Sequence, residues 1–348
     1  MNMQSVNPEN LQTSIAKIYQ TFGLTEDKAA LLADTLVMAD LWGHSSHGVM
    51  RTSWYAARLK SRVMDSFAEL EIKTDTGPLL AIDGHNGIGQ YITNEAVDLV
   101  AARAKTYGIA CASIARSGHF GTAMYYTKRL ADKNMIGFLA TNASPAMTPY
   151  GGAEKLVGNN PQSWSAPTAL DAPFILDIAH TEVARGKIYL AREKKEPIPD
   201  HWALNKDGMP TTNPSEAILG TLLQMAGHKG FGLSAMMDIL SGILSGSAFG
   251  TSVNGPYVPD QPSGVGHFLC AINIAQLRRV EAFTEDMQQM IARWKASRKQ
   301  ADIAEIFYPG EKEYLHYEKC KKQVLKLAEE TVIHLHALAE TCGLRLQF

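Results

Sequence analysis

Cysteine is scarce in this chain, with four residues in 348, and none of them forms C-x-x-C or falls at a zinc-binding spacing. This points to a reducing compartment and away from a thiolate metal site. Cys111 and Cys270 lie in apolar runs that read as buried strands, where a thiol serves as a small core residue. No H-E-x-x-H is present, and the lone His44-x-x-His47 has no carboxylate at ligand spacing, so no metal is expected. Long apolar runs are missing as well. The least polar stretch, Gly230 to Gly250, is interrupted by Asp238 and by serines and glycines, and reads as a buried helix, not a membrane span. The first residues, Met1-Asn2-Met3-Gln4-Ser5, carry neither a basic nor an apolar segment, so a signal peptide is not expected and a cytoplasmic location is. Neither sign of charge dominates: 33 Lys and Arg stand against 35 Asp and Glu, for a net charge of −2. That excludes a global pull toward nucleic acid or an anionic membrane. The usual nucleotide fingerprints are absent too. Gly87-Ile88-Gly89 lacks the third glycine of G-x-G-x-x-G and follows a turn, and no G-x-x-x-x-G-K-[ST] occurs, so neither a Rossmann nor a P-loop domain is predicted.

Apolar residues make up 45% and charged residues 20%, an ordinary balance for a globular chain long enough for two domains or one large one. Asn7 followed by Pro8 starts a helix that Gly23 stops, and Thr25 is placed to cap a second helix running to Leu41. Strands are predicted over 79–83, 109–115, 136–141, 174–178 and 267–272. Helices are predicted over 94–107, 122–133, 230–245 and 282–297. The charged tail from Tyr314 places Val332, Leu335 and Leu338 at helical spacing. Strand, helix, strand through the middle of the chain gives an α/β layer. No internal repeat is visible.

The densest chemistry lies in Leu41-Trp42-Gly43-His44-Ser45-Ser46-His47-Gly48-Val49-Met50-Arg51. A helix from Ser46 would send His47 and Arg51 off one face, one turn apart. An imidazole that exchanges a proton beside a fork that grips a carboxylate suits a 2-oxo or 2-hydroxy acid. Ser46 would orient the imidazole or bond the substrate, or simply cap the turn. A second histidine, His119, sits between Gly118 and Gly121 at the end of an apolar strand, where loops often hold catalytic groups above a rigid sheet. Gly227-His228-Lys229-Gly230-Phe231-Gly232 offers bare amides, a lysine and the start of a long helix, a cradle suited to phosphate.

Six segments together resemble the malate/L-lactate dehydrogenase family, whose members bind nicotinamide cofactors without a Rossmann fold. They are Ser46-His47-Gly48-x-x-Arg51, Gly118-His119-Phe120-Gly121 and Asn159-Asn160-Pro161, then Asp177-Ile178-Ala179 with Ala184-Arg185-Gly186-Lys187, then Gly208-x-Pro210-Thr211-Thr212-x-Pro214 and Gly227-His228-Lys229-Gly230-x-Gly232. They keep the family's order from about residue 40 to 312. The resemblance implies an α/β fold with a non-Rossmann, mixed-sheet nicotinamide-binding domain over 76–304. A mainly helical substrate and dimerisation region, 1–75 with 305–348, would complete it. It implies cofactor contacts from Asp177, Ile178 and Ala179, from His228 and Lys229, and from Gly310, Glu311 and Lys312, with Asn160 and Pro161 shaping the nicotinamide pocket. The cofactor is NAD or NADP, with NAD preferred.

The activity implied is interconversion of a small 2-hydroxy acid and its 2-oxo acid, of the malate, L-lactate or sulfolactate type. A cyclic imino-acid reductase, a ureidoglycolate dehydrogenase and a ligand-binding scaffold without catalysis are the rivals. Both His47 and His119 are proton-carrier candidates, since branches of the family differ on this point, and the expected helix face shared with Arg51 favours His47. Ser144 stands where the ureidoglycolate branch has an aspartate, which weighs against that substrate. A homodimer is also implied, with loops such as Tyr257-Val258-Pro259 needing a surface to rest on.

Overall fold

The computed structural model describes residues 2–255, 258–322 and 324–347. Tyr257, placed above in a loop awaiting a partner surface, lies outside them, as does Met1.

The two N-terminal helices form Pro8–Gln20 and Glu26–Leu41. Asn7 caps the first through its side chain, which accepts the Asn10 N–H at 2.9 Å. Thr25 holds the N-cap position of the second, but its hydroxyl makes no cap bond. Leu11 and Ile15 of the first helix pack on Leu32 and Leu36 of the second, and Val332 and Leu335 of the last helix, Glu329–Thr341, join the same core. Met3–Val6 pairs antiparallel with Leu325–Ala328, which ties the two ends of the chain together.

A seven-stranded sheet forms the centre. Its strands run in the order Glu71–Asp75, Leu79–Asp83, Ile109–Ala115, His267–Asn273, Met135–Thr141, Gln162–Ala166 and Phe174–Ile178. Only Leu79–Asp83 and Ile109–Ala115 are parallel neighbours, and the helix Gly89–Tyr107 crosses between them. Every other pairing in this sheet is antiparallel. A parallel pair needs such a crossover, whereas antiparallel neighbours need only a turn. One crossover unit in an otherwise antiparallel sheet is not a doubly wound domain, as the missing glycine fingerprint predicted. Ala110, Ala112 and Ile114 alternate onto Ile92, Val97 and Val100 of the crossover helix. That helix begins five residues earlier than predicted. Its first residue, Gly89, lies so close to the His119 loop that a Cβ there would stand 2.2 Å from the Gly118 carbonyl oxygen.

A smaller four-stranded sheet, Ala203–Leu204, Thr221–Leu222, Pro145–Met147 and Val157–Gly158, carries its own core with Val183, Ile188 and Ile198. The helix predicted to be buried over 230–245 departs from expectation. It begins at His228, runs to Asp238 and continues as a wider π-type turn over Ile239–Ile243. Gly230, Ser234, Met237, Ser241 and Gly242 are buried, and Phe231 and Leu240 pack half-buried against neighbouring cores. Leu233, Met236, Ile239, Ile243 and Leu244 are exposed, Leu244 by 58%. Glycine and serine let the helix approach its neighbours closely, which leaves the bulky residues outside. Cys111 and Cys270 are half-buried, not core residues.

Candidate active site

The segment after Glu26–Leu41 does not form the single helix turn predicted to align His47 with Arg51. Ser45–His47 and Val49–Arg51 are separate 3-10 turns, broken at Gly48, which is extended. The cause is Asp40. Its buried carboxylate accepts the Val49 N–H at 2.7 Å, and a Cβ on Gly48 would stand 2.2 Å from the same oxygen. Burial pushes Asp40 up to about 7, with the Val49 bond working against that rise. Arg51 nonetheless reaches back, its Nε donating to the Ser46 carbonyl at 2.7 Å. Its guanidinium lies over the Trp54 ring, 3.4 Å from the centroid. The Ser46 hydroxyl meets His47 Nδ1 at 2.9 Å.

His119 arrives from the opposite side, three residues beyond the end of the turn that follows Ile109–Ala115 at Arg116. Its ring stacks nearly parallel to that of His47, with centroids 5.7 Å apart and 15° between planes. Sequence reasoning missed its partner. The Tyr55 hydroxyl lies 2.6 Å from His119 Nδ1, and the Gly121 N–H donates to the same nitrogen at 3.2 Å. Tyr55 sits one helical turn beyond Arg51, and that spacing was the available signal. An N–H can only donate, so Nδ1 is the accepting nitrogen and the ring proton is on Nε2. Ser144 does not take that partner's place: it lies against Gly255, its hydroxyl 3.0 Å from where a Cβ would stand there.

Three neighbouring imidazoles are held neutral. Burial, then the Arg51 and His44 charges, push His47 down to about 4. Burial, then His47 and Arg51, push His119 down to about 3. His267, buried beside Phe120, is pushed down to about 3 by burial. Below them, the side-chain amide of Gln90 and the hydroxyls of Ser117 and Thr122 are buried without a hydrogen-bond partner.

A cleft of about 390 Å³ adjoins this cluster and is lined by His44, Met124, Asp177, Gly310, Lys312 and Glu313, among others. Two chain segments connect the sites. His44 leads to His47, and the His119 loop leads into the helix Met124–Ala131, whose first N–H donates to Asp177 Oδ2 at 2.7 Å. Burial pushes Asp177 up to about 6, against the pull of the Met124 N–H and of His44. His44, considered above only as a metal partner, instead faces Glu313 at 3.6 Å. Burial works against its charge, but Glu313 and Asp177 outweigh it and raise its pKa, and His44 lowers that of Glu313 in return.

Of the predicted cofactor residues, Asp177, Gly310 and Lys312 meet in this cleft. Glu311 does not line it. Its carboxylate pairs with Lys295 and accepts the Tyr308 N–H at 3.2 Å. Ile178 ends the edge strand and Ala179 follows. His180 then donates its N–H to the Asn159 carbonyl at 3.0 Å and accepts the Met225 N–H at 2.9 Å. This draws Asn160, Pro161 and the His228 helix start toward one edge. Asn160 uses both ends of its amide on backbone, accepting from Ala143 N–H at 2.9 Å and donating to the Ser234 carbonyl at 3.0 Å. Fully buried, it shapes the loop through these two bonds. His228 and Lys229 are exposed at the helix start and do not line the cleft.

The residues present fit a dinucleotide. Gly121, at φ +86°, has nothing within 4 Å of a Cβ position, which leaves bare backbone beside the unpartnered Thr122 hydroxyl. A cleft of mixed polar and apolar lining, of a size suited to a small ligand, adjoins it. Among the described residues, one trio could converge on a metal ion, Glu71, Asp83 and His85, and the Arg116 guanidinium already occupies Asp83.

The sequence pattern of the malate/L-lactate dehydrogenase family matches residues 6–336. The chain is 35% identical to a malate dehydrogenase of Pyrococcus horikoshii, over 98% of this chain and 96% of that protein. It is 33% identical to a malate/(S)-sulfolactate dehydrogenase of Methanothermus fervidus, over 98% and 99%. The solved structure of the sulfolactate dehydrogenase from Methanocaldococcus jannaschii superposes with a TM-score of 0.94 at 33% identity, covering 99% of this chain and 98% of that one.

Proposed function

The chain belongs to the malate/L-lactate dehydrogenase family, and on that premise we propose that it interconverts a small 2-hydroxy acid and its 2-oxo acid, of the malate, L-lactate or sulfolactate type, with NAD as cofactor. The observation that carries this reading is the opposition of charge across adjoining sites. Arg51 lies in one cluster with the stacked imidazoles of His47 and His119, while Asp177, Glu305 and Glu313 line the neighbouring cleft with Lys312 as its lysine. The first suits a carboxylate. The second suits the hydroxyls of a ribose and opposes the extra phosphate of NADP.

Asp177, Ile178, Ala179, Gly310 and Lys312 would hold the dinucleotide, with His228 and Lys229 at the helix start and Asn160 and Pro161 behind the nicotinamide. A nicotinamide held by these residues would supply hydride-transfer chemistry. Arg51, fixed by Ser46 and flat on Trp54, grips the substrate carboxylate with its planar fork. His47 carries the proton. The Ser46 hydroxyl can accept from or donate to its Nδ1, so it serves the ring in either protonation state and Nε2 can gain and lose the proton. His119 acts as a neutral donor. With Nδ1 accepting from Gly121 and faced by Tyr55, its Nε2–H is the group that polarises the substrate oxygen. Burial holds His47 down first and the Arg51 charge second; a carboxylate arriving at Arg51 offsets that second part and raises His47 toward its charged form.

The helical region 1–75 with 305–348 and the α/β region 76–304 are proposed as the two working units. Residues 6–64 and 320–335 share one core, which Ile88 at the start of the crossover helix joins from the α/β side, and the Glu71–Asp75 strand, paired into the large sheet, marks the seam. A homodimer is proposed on the exposed apolar side of the His228 helix, with Leu233, Met236, Ile239 and Leu244 as the covered residues. Light scattering at one chain mass, 38.0 kDa, would remove it. The cytoplasm is the proposed location, supported by four free thiols. No helix among the described residues is long and apolar enough to cross a membrane.

The test is a panel of pyruvate, oxaloacetate, sulfopyruvate, a glyoxylate derivative and piperideine-2-carboxylate, each with NADH and with NADPH, read at the nicotinamide absorbance. Turnover of one of the first three, faster with NADH, is the expected result. Turnover of the cyclic imine alone would replace the proposed substrate class. Unchanged nicotinamide fluorescence on mixing with either cofactor would mean a scaffold.

A further inference from the structure

Two thiols face each other at the centre of the large sheet, outside every residue used above. Cys270 of His267–Asn273 stands directly opposite Cys111 of Ile109–Ala115 in the antiparallel register. Directly opposed residues point to the same face of the sheet. The hydrogen-bond phase follows from the next strand: Cys111 N–H donates to the Pro78 carbonyl at 2.8 Å, on the side away from Cys270. The two cysteines therefore form the close, non-hydrogen-bonded kind of pair, with Cα atoms about 4.5 Å apart. A disulfide spans Cα separations of about 4.4–6.8 Å, so this pair needs little backbone movement to close. Both thiols are free, and both are half-buried, within reach of a small oxidant.

We infer that Cys111 and Cys270 form a reversible intrachain disulfide when the protein meets a peroxide or a small-molecule disulfide. With peroxide, the Cys111 thiolate attacks one oxygen and the O–O bond breaks. Cys111 becomes a sulfenic acid and hydroxide leaves, to be protonated to water. The Cys270 sulfur then attacks the Cys111 sulfur, the S–S bond forms, and the sulfenic oxygen leaves as a second water. Two thiols lose two electrons and the peroxide gains them, while the thiol protons end in the waters. Cys111 is the first nucleophile, because the Cys270 thiol hydrogen-bonds to it and lowers its pKa, while that of Cys270 rises. A cross-strand bond on a partly exposed face is of the labile kind, so a dithiol reductant reopens it. Cys320, in the core of the helical region, and Cys342, after the last helix, serve as internal controls.

The experiment treats the reduced full-length protein with hydrogen peroxide and, in parallel, with oxidised glutathione. Thiols are then alkylated under denaturing conditions and the peptides mapped. Alkylatable cysteines should fall from four per chain to two, with one cross-linked species joining the peptides of Cys111 and Cys270. Dithiothreitol should restore all four. Cys111→Ser and Cys270→Ser should each abolish the link. The Cys320→Ser/Cys342→Ser double variant retains only the proposed pair and should still form it, which keeps the question decidable if either first variant fails to fold. Four alkylated thiols after oxidant, a link through Cys320 or Cys342, a link between chains, or sulfinic acid without a disulfide would each overturn the inference.

Discussion

The cluster of Arg51, His47 and His119 and the cleft around Asp177 are joined by the same two chain segments, yet burial acts on them in opposite ways. In the cluster it strips protons from imidazoles, holding His47 down to about 4 and His119 down to about 3. In the cleft it raises a carboxylate, Asp177, up to about 6, and His44 and Glu313 shift toward their charged forms as partners. Both follow from one rule, that a low-dielectric site disfavours whichever form is charged unless a partner stands beside it. One cluster sets the Arg51 guanidinium beside imidazoles that burial holds neutral. The cleft sets Asp177, Glu305 and Glu313 around Lys312.

The sharpest break of this contrast is removal of the proposed proton carrier. His47→Asn should cut turnover by about 100- to 10,000-fold, the usual span for a lost general acid, with NADH still bound by fluorescence titration. His119→Asn should do less and keep the titrating limb of the rate profile. A limb that survives in the His47 variant and vanishes in the His119 variant would exchange their roles. Next in size, Arg51→Lys should raise the Michaelis constant for the acid by about 10- to 100-fold, since a planar fork becomes a point charge and a charge-assisted bond is lost. Cofactor affinity should stay as in the parent. An unchanged Michaelis constant would take Arg51 out of the clamp.

On the cleft side, Asp177→Asn keeps an acceptor for the Met124 N–H while removing a negative charge. The NADPH-to-NADH ratio of kcat/KM should rise about tenfold, the scale of one relieved like-charge contact. A ratio that does not move would place cofactor choice elsewhere. A separate readout, stability, tests the turn that joins the two sites. Asp40 is raised from an ordinary aspartate value to about 7 on folding. The folded chain therefore holds a proton that the unfolded chain releases across that window, and Asp40 makes stability fall as pH rises from about 4 to about 7. Asp40→Asn should remove that part of the slope in denaturant midpoints measured across the same range. Parallel slopes for parent and variant would mean that Asp40 does not titrate there.

Much of this was legible in the chain. Gly108 stops one helix, Asn7 and Pro8 start another, and the strands 79–83 and 109–115 fall where short apolar runs placed them. Such boundaries are local: a cap, a missing Cβ or a short apolar run is written into adjacent residues. The Ser46, His47 and Arg51 cluster was legible for the same reason. Its geometry was not, because the side chain that breaks the helix is Asp40, on the preceding helix. The exposed side of the His228 helix was misread because hydrophobicity alone does not say which side packs, and here the small residues won the close contact.

The sequence by itself determined the absence of a Rossmann fingerprint, the residue types of the cluster and the glycines that free the backbone beside it. Those are properties of single residues and short spacings. Only the tertiary structure decided that Tyr55 faces His119, that His44 pairs with Glu313 above Asp177, and that Cys111 meets Cys270. Each of these contacts joins groups far apart along the chain, or from separate elements, through packing and register. Burial, which fixes which of them is charged, exists only once the whole core has closed.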